Sequence, residues 1–296
     1  MPSHRNHVWK EIWVSIQSFD HFIILVADLT AAMETYRALG FEVLAGGEHP
    51  TFGSHNALVT FSDGTYLELL AFKDLALAAA SFWRDGVKML RVKQGFGGFV
   101  LASNDLAGDV KQLRAQKFDI ADLNAGSRLR PDGQRVEWQT ALIGGTPSGV
   151  MPFLIQDVTP RELRVEPVRN GFGQNARVKE VVVAVKHADL TRDAYRTLLG
   201  VEPRRVHNNT GDATGYRFTL PWGTVIVVQP EASGNAMADQ VSLRGEGLYA
   251  LTLALDDVNP ARRAMKTGDI PVEDETYGFM ISPDAACGAR IRMLQA

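Results

Sequence analysis

The sequence predicts an α+β protein built from four βαβββ modules, and three observations carry that reading. Residues 19–43, FDHFIILVADLTAAMETYRALGFEV, align without a gap on residues 96–120, FGGFVLASNDLAGDVKQLRAQKFDI. Phe19 meets Phe96, Asp28-Leu29 meets Asp105-Leu106, and Phe41-Glu42-Val43 meets Phe118-Asp119-Ile120. Two further copies follow, KEVVVAVKHADLTRDAYRTLLGVEP at 179–203 and the weaker LYALTLALDDVNPARRAMKTGDIPV at 248–272. Finally, each copy turns from a strand-like apolar or alternating run to helical spacing at an aspartate.

In the first module, Phe22–Ala27 reads as a strand and Asp28 as the cap of a helix, since its carboxylate accepts orphan helix amides. Leu29, Met33 and Tyr36 then fall on one helical face, and Gly40 supplies the left-handed stop. NALVTFS and TYLELLAF flank Asp63-Gly64, a strong signal for a two-residue type I′ hairpin. The second module repeats this with Asp105 as cap and Leu106, Val110 and Leu113 on the helix face. Asp189 and Gly200 mark the third helix, and Asp256 or Asp257 the start of the fourth. One such unit leaves a sheet face bare, so modules should pair. The polar stretch TPRELRVEPVRNGFGQNAR (159–177) separates two pairs, after an N-terminal extension at 1–16: one domain at 17–165 and a second at 166–296.

Composition narrows the classes. The 296 residues are 45% hydrophobic and 22% charged, as in soluble globular proteins. A net charge of −3 offers no basic field, which disfavours nucleic acid and membrane partners. The single cysteine, Cys287, excludes an internal disulfide and a cysteine zinc cluster. Apolar runs are strand-sized, and MPSHRNHVWKEIW lacks the apolar core of a signal peptide, so a cytoplasmic protein is expected. GFGGF (95–99) matches no phosphate-binding pattern, so no nucleotide cofactor is expected. Monomer and homodimer both satisfy module pairing.

Paired βαβββ modules with His21 near the start of the first strand and Glu68 in the fourth resemble the vicinal oxygen chelate superfamily. That group includes glyoxalase I, the extradiol dioxygenases and the bleomycin-resistance proteins. GGEHPTFGSHNALVTFSDGTYLELLAF and SRLRPDGQRVEW closely resemble a glyoxalase-like domain family within it, over roughly the first half of the chain. The resemblance implies cup-shaped sheets with helices on the outer face and metal ligands at the cup floor. Carried over, it gives His21 and Glu68 as metal ligands, with Gly98 and Phe153 at the other two positions. In the second pair the same positions fall on Glu180, Val227, Ala250 and Arg292, which could not hold a divalent cation, so that pair reads as a degenerate copy. Extradiol chemistry needs a second histidine where Gly98 stands, and glyoxalase I uses a fuller ligand set, so neither activity is supported.

The remaining candidates line a substrate site. With a two-residue turn, Val59 lies opposite Glu68 and alternation puts His55 on Glu68's face, roughly 13 Å further along the strand. That distance places His55 at the rim and not on a shared ion. His49 lies in the preceding loop. Arg128, Arg130 and Arg135 form either a solvated loop cluster or an anion site, since guanidinium forks suit carboxylate or phosphate. Trp138 packs on the sheet or walls the pocket. The substrate-binding set is therefore His49, His55, Tyr66, Gly98, Arg128, Arg130 and Trp138.

The expected function is a glyoxalase-like lyase or isomerase acting on a small, vicinal-oxygen substrate. It would use a divalent metal (Zn, Mn, Ni or Fe(II)) on His21 and Glu68. A metal-free form would use Glu68 as base, its pKa raised by the apolar strand, with His21 as partner. The alternative is a metal-free ligand-sequestering protein of the bleomycin-resistance type.

Overall fold

A computed structural model of the chain describes residues 15–144, 149–208 and 213–296. The expected N-terminal extension, with His4 and His7, lies outside the described residues apart from Ser15 and Ile16, as do residues 145–148 of the loop LIGGTPSG.

The first module comprises β1 (Ile16–Leu25), α1 (Leu29–Ala38), β2 (Leu44–His49), β3 (Ser54–Thr60) and β4 (Tyr66–Phe72). Two helices absent from the repeat, α2 (Leu75–Ala80) and α3 (Arg84–Val92), lead to the second module. That module is β5 (Gly95–Ser103), α4 (Leu106–Ala115), β6 (Asn124–Leu129), β7 (Arg135–Ala141) and β8 (Phe153–Asp157). After the short α5 (Arg161–Arg164) comes the third: β9 (Ala176–Ala184), α6 (Ala188–Leu199), β10 (Arg204–Asn208), β11 (Ala213–Leu220) and β12 (Gly223–Pro230). A helix α7 (Ala236–Leu243) precedes the fourth: β13 (Gly247–Leu255), α8 (Asn259–Thr267), β14 (Val272–Glu275), β15 (Gly278–Ile281) and β16 (Arg290–Gln295).

The aspartate caps hold in the first two modules, where Asp28 accepts from the amide of Ala31 and Asp105 from that of Gly108, each at 3.0 Å. In the third, α6 starts one residue before Asp189, whose carboxylate instead accepts the Tyr216 hydroxyl. In the fourth, Val258 occupies the cap position, and Asp257 accepts the amide of Asn259 at 2.9 Å.

The β3–β4 hairpin departs from the expected two-residue turn. The amide of Phe61 donates to Thr65 O at 2.9 Å and that of Gly64 to Phe61 O at 3.0 Å, with Gly64 at φ 79°. The loop is therefore three residues long, Ser62-Asp63-Gly64, ending in a left-handed glycine. One extra loop residue slips the register by one: Leu58, not Val59, faces Glu68. A one-residue slip exchanges the faces of a strand, so Asn56 takes the face expected of His55.

The first two modules close into an eight-stranded barrel in the order β1-β4-β3-β2-β6-β7-β8-β5, while the last two form an open sheet, β10-β11-β12-β9-β13-β16-β15-β14. Within the barrel, His21 pairs with Val100 and Ile23 with Gly98. Exchanging the modules (His21 for Gly98, Ile23 for Val100) returns the same two pairs, the register of an internal two-fold axis. In the open sheet, the amide of Val185 donates to Val228 O as that of Val26 donates to Leu70 O. That offset puts Glu180 at the place of His21 and Ile226 at the place of Glu68. The expectation of Val227 is thus one residue out; Val227 packs in the shared core on the opposite face.

The two sheets share one apolar core. Tyr36 of α1, Leu113 of α4, Tyr195 of α6 and Met265 of α8 are fully buried in it. Phe19 sets its ring against Trp222 of the other sheet at 4.6 Å, near-perpendicular. Arg244 crosses the junction to donate to Lys93 O at 3.1 Å, Gly95 O at 3.0 Å and Phe96 O. Buried large side chains of this kind contribute about 1.5–3 kcal/mol each. No helix among the described residues is long and apolar enough to cross a membrane.

What closes the first cup is a glycine pair. The β2–β3 register shifts between Ala45 and Gly47, and Gly47 has φ 140°. A Cβ there would stand 2.1 Å from Leu129 O, at the β2–β6 seam where Glu48 pairs with Leu129. The corresponding β10 and β14 do not meet. We expect Gly47→Ala to lose about 1–3 kcal/mol in urea unfolding, against about 1–2 for Gly64→Ala, whose Cβ would meet open space; an additional drop in the m-value for Gly47→Ala alone would report opening of the barrel.

Candidate active site

The barrel interior holds a pocket that opens to solvent, with about 580 Å3 of empty space including its mouth. Period-two alternation supplies those walls strand by strand: Tyr66, Glu68 and Leu70 from β4, Asn124, Gly126 and Arg128 from β6, Trp138 and Thr140 from β7, Phe153 and Ile155 from β8. His21, His49 and Asn56 complete the polar set, and Phe52, Phe82 and Trp83 close the mouth.

At the floor, β1 bulges. Between Phe19 and His21 the strand advances two residues while β5 advances one, so Asp20 is the extra residue. Asp20 and His21 consequently reach each other, and His21 Nδ1 lies 2.6 Å from Asp20 Oδ1. Asp20 is completely buried. Arg164 forks onto it, Nη1 to Oδ1 at 3.1 Å and Nη2 to Oδ2 at 2.9 Å, and Arg161 adds a third donor. The same Arg164 donates to the Tyr66 hydroxyl at 2.7 Å and to both oxygens of Asp157. Burial works against the Asp20 charge, yet Arg164, His21 and Arg161 hold the carboxyl well below its usual range.

The other nitrogen of His21, Nε2, faces Glu68 Oε2 at 3.4 Å. Asn56 donates its amide to Glu68 Oε1 at 2.5 Å, and its own oxygen occupies space that a side chain at Gly46 would fill. Tyr66 stacks on the imidazole, centroids 4.7 Å apart and planes 13° apart. Burial disfavours charge on both partners, but the hydrogen bonds of His21 to Asp20 and Glu68 raise its pKa above 6.5. Glu68 moves opposite to the expected direction: burial pushes it up, but His21, His49 and Asn56 pull it down to about 2. His49 is neutral, lowered to about 4 by burial, and shares a hydrogen bond with Ser54 Oγ at 3.0 Å.

The structure thus brings His21, Glu68, His49, Tyr66, Arg128 and Trp138 together around one cavity. His55, Gly98 and Arg130 are not among its lining residues. His55 pairs with Glu48 and Ala71 on the outer face of its strand. Beside Gly98 the first neighbour a side chain would meet is Gly149, at 3.9 Å. Arg130 is held outside by Asp132, Glu166 and Leu163 O, and Arg135 by Ser127. Asp20, Asn56 and Arg164 were not anticipated. Asp20 had a signal, an acid next to the candidate histidine in FDHF; Arg164 lay in a stretch that reads as a linker.

Whether a divalent ion fits can be judged from the donors. Among the described residues no three His, Cys, Asp or Glu side chains stand together as a metal group. Glu68 Oε1 is taken by the Asn56 amide, and the positions across the floor, Gly98 and Phe153, supply no donor, so only His21 and Glu68 could reach an ion there. Two protein donors do not make a site that fits a resident metal. In the open sheet, Glu180 is paired with Arg217 at 2.8 Å and Arg292 with Glu275 at 2.9 Å.

These features define a two-fold-repeated βαβββ protein with a polar cup. The model of the glyoxalase-like domain matches residues 19–199, and the chain belongs to that family. A hypothetical protein from Staphylococcus aureus shares the whole fold, with 16% identity, TM-score 0.66, and 94% of this chain and 99% of that chain covered. A methylmalonyl-CoA epimerase from Mycobacterium tuberculosis is similar at 18% identity over 40% of this chain and 87% of that chain, TM-score 0.37. No curated protein matches the chain.

The His21–Glu68 pair makes stability pH-dependent in a defined direction. With its pKa raised, His21 contributes fully below 6.5 and loses that contribution as pH rises through the folded value. Glu68, lowered to about 2, contributes above 4.5 and loses it as pH falls. The Tm difference between wild type and Glu68→Gln should therefore be largest between these two unfolded values and shrink on both sides; a difference flat from acid to alkaline pH would refute the ion pair. Asp20→Asn, which leaves buried Arg164 with the partly exposed Asp157 as its one carboxylate and takes the charge from beside His21, should cost about 3 kcal/mol in chemical denaturation.

Proposed function

We propose that the cup is the active site of a proton-transfer enzyme, an isomerase or lyase acting on a small carbonyl compound. The observation that carries this is the Asp20–His21–Glu68 line, a buried acid–base pair at the closed end of a cavity. Asp20 holds Nδ1, so Nε2 is the nitrogen that exchanges partners. In the resting site Nε2–H is directed at Glu68 and keeps that carboxylate a weak base. A carbonyl oxygen placed beside His21 draws this proton toward itself, stabilising a developing enolate oxyanion. Glu68 then loses its strongest partner while remaining buried, so its basicity rises at the moment when the substrate's C–H is most acidic. Tyr66, its phenol kept protonated by burial and its oxygen engaged by Arg164, has its own proton free to donate. Return of the proton to another face or atom gives isomerisation; expulsion of a leaving group gives elimination.

The apolar walls (Leu70, Phe82, Trp83, Phe153) favour a second reading, a cup that sequesters its ligand without turnover. The two separate in deuterium oxide. Proton NMR of a panel of small enolisable carbonyl compounds with wild-type protein should show loss of a C–H signal for at least one, abolished in Glu68→Gln and His21→Gln. Saturable binding without exchange would support sequestration. The exchange rate should fall as pH rises through the raised His21 value, since the acid form is required. Metal analysis of the same sample is expected to be substoichiometric and equal in wild type and Glu68→Gln; one equivalent of metal lost in both variants would replace this mechanism with a metal-centred one.

A further inference from the structure

The proton-transfer pair leaves one buried cation unassigned. Arg128 lines the cavity with 3% of its surface exposed. Its Nη2 donates to Arg164 O at 2.8 Å, and its Nε is buried with no hydrogen-bond partner. Neighbouring Arg164, equally buried, grips Asp20 and Asp157, whereas Arg128 forms no ion pair among the described residues. Buried charges are normally paired. Around the floor, Asp20 and Asp157 are held by Arg161 and Arg164, and Glu68 by His21 and Asn56, which leaves Arg128 as the one guanidinium there without a carboxylate partner among the described residues.

We infer that Arg128 binds the carboxylate of the substrate, and that the cup takes a short monocarboxylic acid. The second half of this statement, that the acid also carries the C–H removed by Glu68, rests on the proton-transfer reading; the first half does not. One missing negative charge matches a carboxylate, whereas a phosphate dianion overshoots it. A guanidinium edge receives a planar carboxylate through two parallel hydrogen bonds. The mouth residues Phe52, Phe82 and Trp83, together with Trp138, leave room for a small molecule and bring an apolar enclosure that strengthens the charge pairing. Burial also lowers the basicity of Arg128, as expected of a cation whose counter-ion arrives with the ligand. Arg130 and Arg135 are not alternatives, since both are engaged outside the cavity.

The test is a comparison of acids with their neutral amides. Glyoxylate, pyruvate, lactate and acetoacetate, each beside its amide, are titrated into wild type. Binding is followed by the fluorescence of the cavity tryptophans Trp83 and Trp138 and by the 15N–1H signal of the Arg128 Nε. At least one acid should bind about 10- to 100-fold tighter than its amide and move the Nε signal. Arg128→Gln should abolish the preference, and Arg128→Lys, which keeps charge without the fork, should restore part of it. Equal binding of acid and amide, no binding of any acid, tighter binding of inorganic phosphate, or a preference surviving in Arg128→Gln would overturn the assignment. If Arg128→Gln does not fold, the wild-type comparison and the Nε signal decide alone. Acid preference without deuterium exchange sinks the proton-transfer reading and spares Arg128; exchange on acids and amides alike does the reverse.

Discussion

The fork of Arg164 onto Asp20 is the contact on which the rest of the site depends. Asp20 is a bulge residue with no exposure, and an isolated carboxylate there would be neutral or would refuse burial. With Arg164 and Arg161 on it, it stays charged and grips His21 Nδ1, which fixes the ring, its stacking on Tyr66 and the aim of Nε2 at Glu68. The same guanidinium ties α5 to β4 and β8 through Tyr66 and Asp157, so the segment that leaves the barrel is also part of the support of its floor.

This arrangement explains how one duplicated module gives two different interiors. In the first pair, the glycines at 46 and 47 let β2 approach β6 and close the barrel around a polar floor. In the second, the corresponding edges stay apart, and Glu180 and Arg292 at the equivalent floor positions are satisfied by nearby Arg217 and Glu275. The second sheet keeps the convex face, where Val181, Val183, Leu251 and Leu253 join the common core, so it contributes burial to the whole molecule.

Charge also decides the chemistry the cup supports. An apolar strand by itself would make Glu68 a strong base in the resting protein. The neighbouring His21, His49 and Asn56 reverse that in the resting site and hold the Glu68 pKa down to about 2.

From the sequence alone, the local grammar could be read: the repeat, the strand-to-helix switches at Asp28 and Asp105, and the positions of His21 and Glu68, because helix and strand periodicity and capping are properties of neighbours in the chain. What failed there failed by single residues. A three-residue loop in place of a two-residue turn exchanged His55 for Asn56, and an offset of one put Val227 where Ile226 lies. The direction of the Glu68 shift, the separation of Arg128 from Arg130 and Arg135, and the role of Arg164 were settled only by tertiary structure. Each depends on which distant groups converge: Asp20 and Arg164 are 144 positions apart, and no local pattern encodes their meeting.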